Sequence, residues 1–212
     1  MKTAIALMLI MLVVHPVVSQ TPCNSRGYGI ELGVGGWLQG RASTSVTTSG
    51  VTTSSNTSGF RASLGFHYWS SENLAVGLTL SLINTGADVT AAPYAVHQET
   101  NAVSAAMIDA RFCWPVQQGR SIIPYGHVSL GPVFGFLTEN SLARQGASVE
   151  TTVGGRVGGG VDLLLSHFLL AGVRGSYLVM GDFSQPVSGR NNFNGLEFQL
   201  VFTIVWGSSP VQ

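Results

Sequence analysis

The sequence predicts an all-β fold: an eight-stranded antiparallel transmembrane β-barrel, preceded by a cleaved signal peptide. Three observations predict it. Charged residues make up 9% of the 212, against roughly 25% in ordinary soluble domains, too few to cover the surface of a water-soluble globule. Apolar residues recur with period two in segment after segment, the signature of a strand with one face in an apolar medium. Beyond the N-terminal stretch no window approaches the ~20 consecutive apolar residues of a membrane helix, so strands are left to do the crossing. The formal net charge is zero, which removes the usual electrostatic argument for nucleic acid.

Residues 1–19 read as the signal peptide. Lys2 supplies the positive start, Ala4 to Val14 is an unbroken apolar core, His15-Pro16 breaks it, and Val17-Val18-Ser19 occupies the cleavage positions. At about 16 residues this stretch is short for a ~30 Å hydrocarbon core. Residues 20–26 form a short periplasmic tail, and Gln20-Thr21-Pro22 before Cys23 is not a lipobox.

Eight strands follow, near 27–42, 58–69, 73–87, 101–114, 121–137, 151–165, 168–181 and 193–206, so the barrel spans 27–206, with 207–212 a C-terminal tail. In the first, Tyr28, Ile30, Leu32 and Val34 alternate with Gly29, Glu31, Gly33 and Gly35. In the third, Leu74, Val76, Leu78, Leu80 and Leu82 alternate with Ala75, Gly77, Thr79 and Ser81. In the last, Phe198, Leu200, Phe202, Ile204 and Trp206 alternate with Glu197, Gln199, Val201, Thr203 and Val205. Connections alternate in length. Ser70 to Asn73, Pro115 to Arg120 and Ser166-His167 are tight, while 43–57, 88–100, 138–150 and 182–192 are longer and polar. Short periplasmic turns and longer external loops have this asymmetry. The sheet must close, because an open edge in lipid leaves backbone groups unpaired at several kcal/mol each, and an even count puts both termini on one side.

Aromatic residues collect at the strand ends as two interfacial girdles. Tyr28, Tyr68, Trp69, Phe112, Trp114, Phe168 and Trp206 adjoin the short turns, and Phe60, Phe134, Phe136, Phe183 and Phe193 fall towards the long loops.

Strand parity then assigns the faces. With the apolar residues towards lipid, the inward set is Glu31, Arg61, His67, Asp109, Arg111, His127, Arg156, Asp162, Arg174, Glu197 and Gln199. Four arginines stand against four carboxylates in a bore only wide enough for side chains. Buried charges must be paired and hydrogen-bonded, so this set predicts a polar, plugged lumen, with a small gated channel as the alternative.

The run Ile123-Pro124-Tyr125-Gly126-His127-Val128-Ser129-Leu130-Gly131-Pro132-Val133-Phe134-Gly135 is a Pro-Tyr strand followed by spaced glycines. Val153 to Asp162, a short turn and Ala171 to Tyr177 follow as the next hairpin. Together they resemble the outer-membrane β-barrel domain family, akin to the transmembrane domain of outer membrane protein A and to the outer membrane protein X group. The resemblance covers about residues 27–206. It implies an integral protein of the bacterial outer membrane in contact with lipid and lipopolysaccharide, inserted by the barrel insertion machinery, with loops outside and termini in the periplasm. It is weak for activity, since the family ranges from structural anchors to adhesins. Such chains usually end on an aromatic that the insertion machinery reads, whereas here Trp206 is followed by Gly207-Ser208-Ser209-Pro210-Val211-Gln212.

His127 and Ser129 are the sharpest enzymatic candidate, two apart on one strand, with Glu139 following near its outer end. Lipid A deacylase barrels have a similar His-x-Ser with a Glu, in which His is the base, Ser the nucleophile and Glu orients the His. Here the pair has inward parity, away from lipid, and Leu130 stands where those enzymes tend to have asparagine. The five histidines show no metal spacing, and the glycine run at 154–160 has no adjacent lysine and no following helix to make a phosphate loop. No metal or other cofactor is expected. The four long connections, above all the Ser/Thr tract from Ser43 to Ser58, are the places where a surface or host ligand would be met. Cys23 and Cys113 both fall at the periplasmic rim, in an oxidising compartment, and are the candidate disulfide. The sequence therefore supports a structural or surface-interaction (adhesin-like) barrel, with a lipid A acyl hydrolase as the alternative.

Overall fold

The computed structural model describes residues 27–39, 46–48, 51–55, 58–71, 73–84, 87–90, 102–114, 121–141, 144–185, 187 and 190–207. The signal peptide, the 20–26 tail with Cys23, and 208–212 lie outside them. Eleven strands are described: β1 (Gly27–Gln39), β2 (Val46–Thr48), β3 (Val51–Ser55), β4 (Ser58–Trp69), β5 (Leu74–Asn84), β6 (Ala87–Thr90), β7 (Ala102–Cys113), β8 (Ile122–Ser141), β9 (Arg144–Ser166), β10 (Leu169–Met180) and β11 (Gly195–Trp206). Eight of them close into an antiparallel barrel in the order β1-β11-β10-β9-β8-β7-β5-β4. The seam pairs the first barrel strand with the last, from Tyr28↔Trp206 to Gln39↔Gly195.

The period-two pattern of the sequence becomes an inside and an outside. Along β11 burial alternates residue by residue over the whole strand. Outward residues such as Ile108, Leu130 and Val153 are 72%, 64% and 64% exposed. A continuous belt of this kind would be untenable in water, and it is the surface a barrel presents to acyl chains.

The loop expectations need correction. Connections 43–57 and 88–100 contain β2, β3 and all but the first residue of a third strand, β6, which join as a separate three-stranded sheet in the order β2-β3-β6. Connection 138–150 is largely strand: β8 and β9 stay paired out to Ser141↔Arg144. Past the lipid no face has to be apolar, so alternation fades while backbone pairing continues. β1 is described as far as Gln39 and β5 as far as Asn84; residues 40–42 and 85–86 of the expected strands lie outside the described residues.

Three aromatics expected in the girdles lie inside. Trp69, Phe183 and Phe193 are 2%, 4% and 0% exposed. Trp69 shares parity with Arg61 and His67, Phe193 shares it with Glu197, and Phe183 is carried in by the connection after β10. Tyr28, Phe112, Trp114, Phe168 and Trp206 do face outward at the turn end, and Phe60 and Phe136 at the loop end.

Candidate functional site

The lumen is built in layers. At the turn end Trp69, Ala75, Cys113, Ile123, Tyr125, Leu164, Leu170 and Val205 form one apolar cluster. At the loop end Trp37, Ile83, Val103, Met107, Val133, Leu178, Met180, Phe183, Val187 and Phe193 contribute to a second. The inward charges lie between them. The polar belt expected from the sequence is capped by an apolar layer at each end. Inward parity already marks Trp37 and Tyr125, which a reading confined to charged inward residues passes over.

The charges fall into two groups. In the group nearer the turn end, Glu31 on β1 is the hub. Its Oε2 accepts from Arg111 Nη2 at 2.6 Å and from Arg174 Nη2 at 2.5 Å, with His67 Nε2 at 3.6 Å. Arg111 also donates from Nη1 to Asp162 Oδ2 at 3.1 Å. Tyr125 knits the two arginines together: its hydroxyl accepts from Arg174 Nε at 3.1 Å, and the Arg111 guanidinium lies 3.9 Å from its ring centre. In the group nearer the loop end, Glu197 on β11 is the hub. Its Oε2 meets Arg61 Nη1 at 2.7 Å, Arg156 Nε at 2.6 Å and Ser176 Oγ at 2.9 Å, while Arg156 Nη2 donates to Ser81 Oγ at 3.1 Å. A neutral pair, Gln199 Nε2 donating to Ser63 Oγ at 2.9 Å, is buried in the same interior.

One carboxylate departs from the expected set of arginine partners. Among the described residues Asp109 faces histidines, with His127 Nδ1 3.4 Å from Oδ1 and His67 Nδ1 3.8 Å from Oδ2. All of these groups are buried: Glu31, His67 and Glu197 are 0% exposed. Glycines make the room. A Cβ on Gly65 would come 2.9 Å from His67 Nε2, and one on Gly160 would come 2.5 Å from the Tyr125 hydroxyl. These positions admit large inward groups only because nothing projects from the wall beside them.

The enzymatic candidates are held in this same interior. His127 and Ser129 are both buried, and Ser129 Oγ donates to Met107 Sδ at 3.6 Å, not to His127. The side chain of Glu139 lies outside the described residues; its backbone pairs with Gly146 on the far part of β9. No group of three or more His, Cys, Asp or Glu among the described residues could hold a metal ion. Cys113 is buried in the turn-end layer.

No protein-family profile and no curated protein sequence matches the chain. Solved structures do. Neisserial surface protein A superposes with a TM-score of 0.59 at 13% identity, covering 84% of this chain and 96% of that one. The outer membrane protein OprG from Pseudomonas aeruginosa gives 0.56 at 14%, covering 89% and 100%. The fold is that of the outer-membrane β-barrels. Ail, the attachment invasion locus protein of Yersinia pestis, shares it at a TM-score of 0.52 and 9% identity, covering 86% of this chain and 99% of its own, in a complex with the heparin analogue sucrose octasulfate. At these identities the likeness is one of barrel architecture, and the lumen of each outer-membrane barrel has to be read from its own residues.

Proposed function

We propose that this chain is an integral bacterial outer-membrane protein with a plugged lumen and a structural or surface-interaction role. In this reading the turn end and both termini are periplasmic and the long connections are extracellular. The observation that carries it is the filled bore: a charge belt held by Glu31 and Glu197 between two apolar layers. The lipid-facing belt supports contact with lipid and lipopolysaccharide, and the closed-barrel fold supports insertion by the cell's barrel machinery. The surface-interaction part leans on the likeness to Ail, and the ligand in that complex stays Ail's. The reading is non-catalytic, because His127 and Ser129 face the lumen while an acyl substrate would lie on the other side of the wall.

Three measurements test it. In planar bilayers the purified barrel should give no unitary conductance, and a steady open-channel trace would sink the plugged lumen. On intact cells, tags near Ser49 or Gly146 should be labelled and a tag near Gln118 should not; labelling at Gln118 would invert the topology. The lipid A mass spectrum of expressing cells should show no lost acyl chain, which separates this reading from the hydrolase.

A Cys23–Cys113 bridge belongs to the same proposal. It would tie the N-terminal tail across the periplasmic mouth, close a loop of ~90 residues and stabilise by about 4–5 kcal/mol in the chain-entropy model. Alkylation of the freshly purified, denatured and unreduced protein should leave both thiols unmodified, and two modified cysteines would mean no bridge.

A further inference from the structure

The connection after β10 brings one charge into the loop end that the network beneath it does not use. Phe183 N donates to Asn191 O at 2.6 Å, and Val187 and Arg190 exchange backbone hydrogen bonds of 2.8 and 3.0 Å. The turn they define holds Arg190 at 4% exposure. Its guanidinium carbon lies 5.3 Å from the centre of the Trp37 ring and 5.8 Å from that of Phe193. One of its nitrogens, Nη1, donates to Gln39 Oε1. None of these contacts is anionic. Asp182, on the same connection, is exposed and accepts from Asn192 Nδ2 at 2.6 Å.

The other two nitrogens of Arg190, Nε and Nη2, are buried with no hydrogen-bond partner among the described residues. On a guanidinium these two N–H bonds lie side by side and make the edge that takes two oxygens of one carboxylate, phosphate or sulfate. Arginine cannot shed its proton to escape burial, and burying a charge is costly unless it is paired. Burial here pushes the Arg190 guanidinium below its ordinary pKa. The surroundings add to the demand for an anion. Arg61 and Arg156 share the single carboxylate of Glu197, so among the described residues these two arginines and Arg190 stand against that one buried acid.

The geometry points to an oxyanion-binding site at the loop end of the lumen: a carboxylate, phosphate or sulfate group seated on Nε–H and Nη2–H of Arg190, beside the Trp37 and Phe193 rings. The site lies over the bore and not on the lipid face, so its ligand arrives from the water beyond the loop end. A free anion and a lipid headgroup share this chemistry, and the position selects the free anion or a soluble molecule that carries the group.

The test follows the arginine Nε–H resonances of the refolded full chain in zwitterionic micelles. Inorganic phosphate and inorganic sulfate are titrated separately at constant ionic strength, with chloride as the reference. One Nε–H signal should shift saturably with phosphate and sulfate and stay still in chloride. That signal should be absent from Arg190→Lys, which keeps the charge without the paired edge. A response equal in chloride, or one that never saturates, overturns the site, and this comparison needs only the wild-type protein. A second arm uses bicelles containing phosphatidylglycerol and no free phosphate. The signal should not move there, and a shift confined to that arm overturns the luminal placement.

Discussion

Glu31→Ala is expected to lower the unfolding free energy by about 3–5 kcal/mol, the usual cost of breaking a buried ion pair by removing one partner. One oxygen of Glu31 receives both Arg111 and Arg174. Without it, Arg111 keeps Asp162, but Arg174 keeps only the Tyr125 hydroxyl. Glu31→Gln retains the shape and an acceptor and should fall between alanine and wild type. Urea unfolding in lipid vesicles, read by the gel-mobility shift of the folded barrel, measures both. Arg156→Ala should also lower the unfolding temperature, by less, because Arg61 stays on Glu197. A midpoint unchanged in Glu31→Ala would mean that water, and not the arginines, balances this acid.

Trp37→Ala should cost a similar amount, about 3–5 kcal/mol for a large aromatic removed from a packed core, but with a different signature. The Trp37 and Phe193 rings lie 5.6 Å apart, and the indole N–H donates to Phe193 O at 3.0 Å. Trp37→Ala and Phe193→Ala should therefore be non-additive, as expected for residues in contact. Neither should open a conductance, because the Glu197 and Glu31 groups and the turn-end layer still fill the bore. A conducting Trp37→Ala barrel would show that the loop-end layer alone is the barrier, and would replace the proposed plugged lumen with a gated one.

The sequence made the wall of the barrel legible, and much less of what fills it. Lipid imposes an apolar outer face on every crossing segment, so parity alone turns Glu31, Arg61, Asp109, Arg111, Arg156, Asp162, Arg174 and Glu197 inward, as the structure has them. Parity also turns Trp37, Trp69 and Tyr125 inward. The habit of placing aromatics in interfacial girdles hid Trp69, and attention to charge hid the other two. Pairing within the lumen was out of reach, because it depends on the stagger between strands. Arg111 meets a carboxylate 80 positions away and Arg174 one 143 away, and no local pattern encodes either meeting. The strands beyond the membrane were missed for a simpler reason: in water both faces of β8 and β9 can be polar, and period two leaves no trace there.

The seam between β1 and β11 has a consequence for how the barrel assembles. Its neighbours across the tight turns, such as β9 and β10, can zip together from contacts close in sequence. The seam must instead bring Tyr28 to Trp206, and contacts so remote form late because the chain entropy is spent before they give anything back. Both carboxylate hubs reach over this junction: Glu31 on β1 to Arg174 on β10, and Glu197 on β11 to Arg61 on β4. Until the first and last strands meet, those ions lack these partners at the same moment as the two strand edges lack theirs. A half-closed intermediate is thus penalised twice, and barrel closure becomes an all-or-none step in which hydrogen-bond ladder and charge neutralisation arrive together.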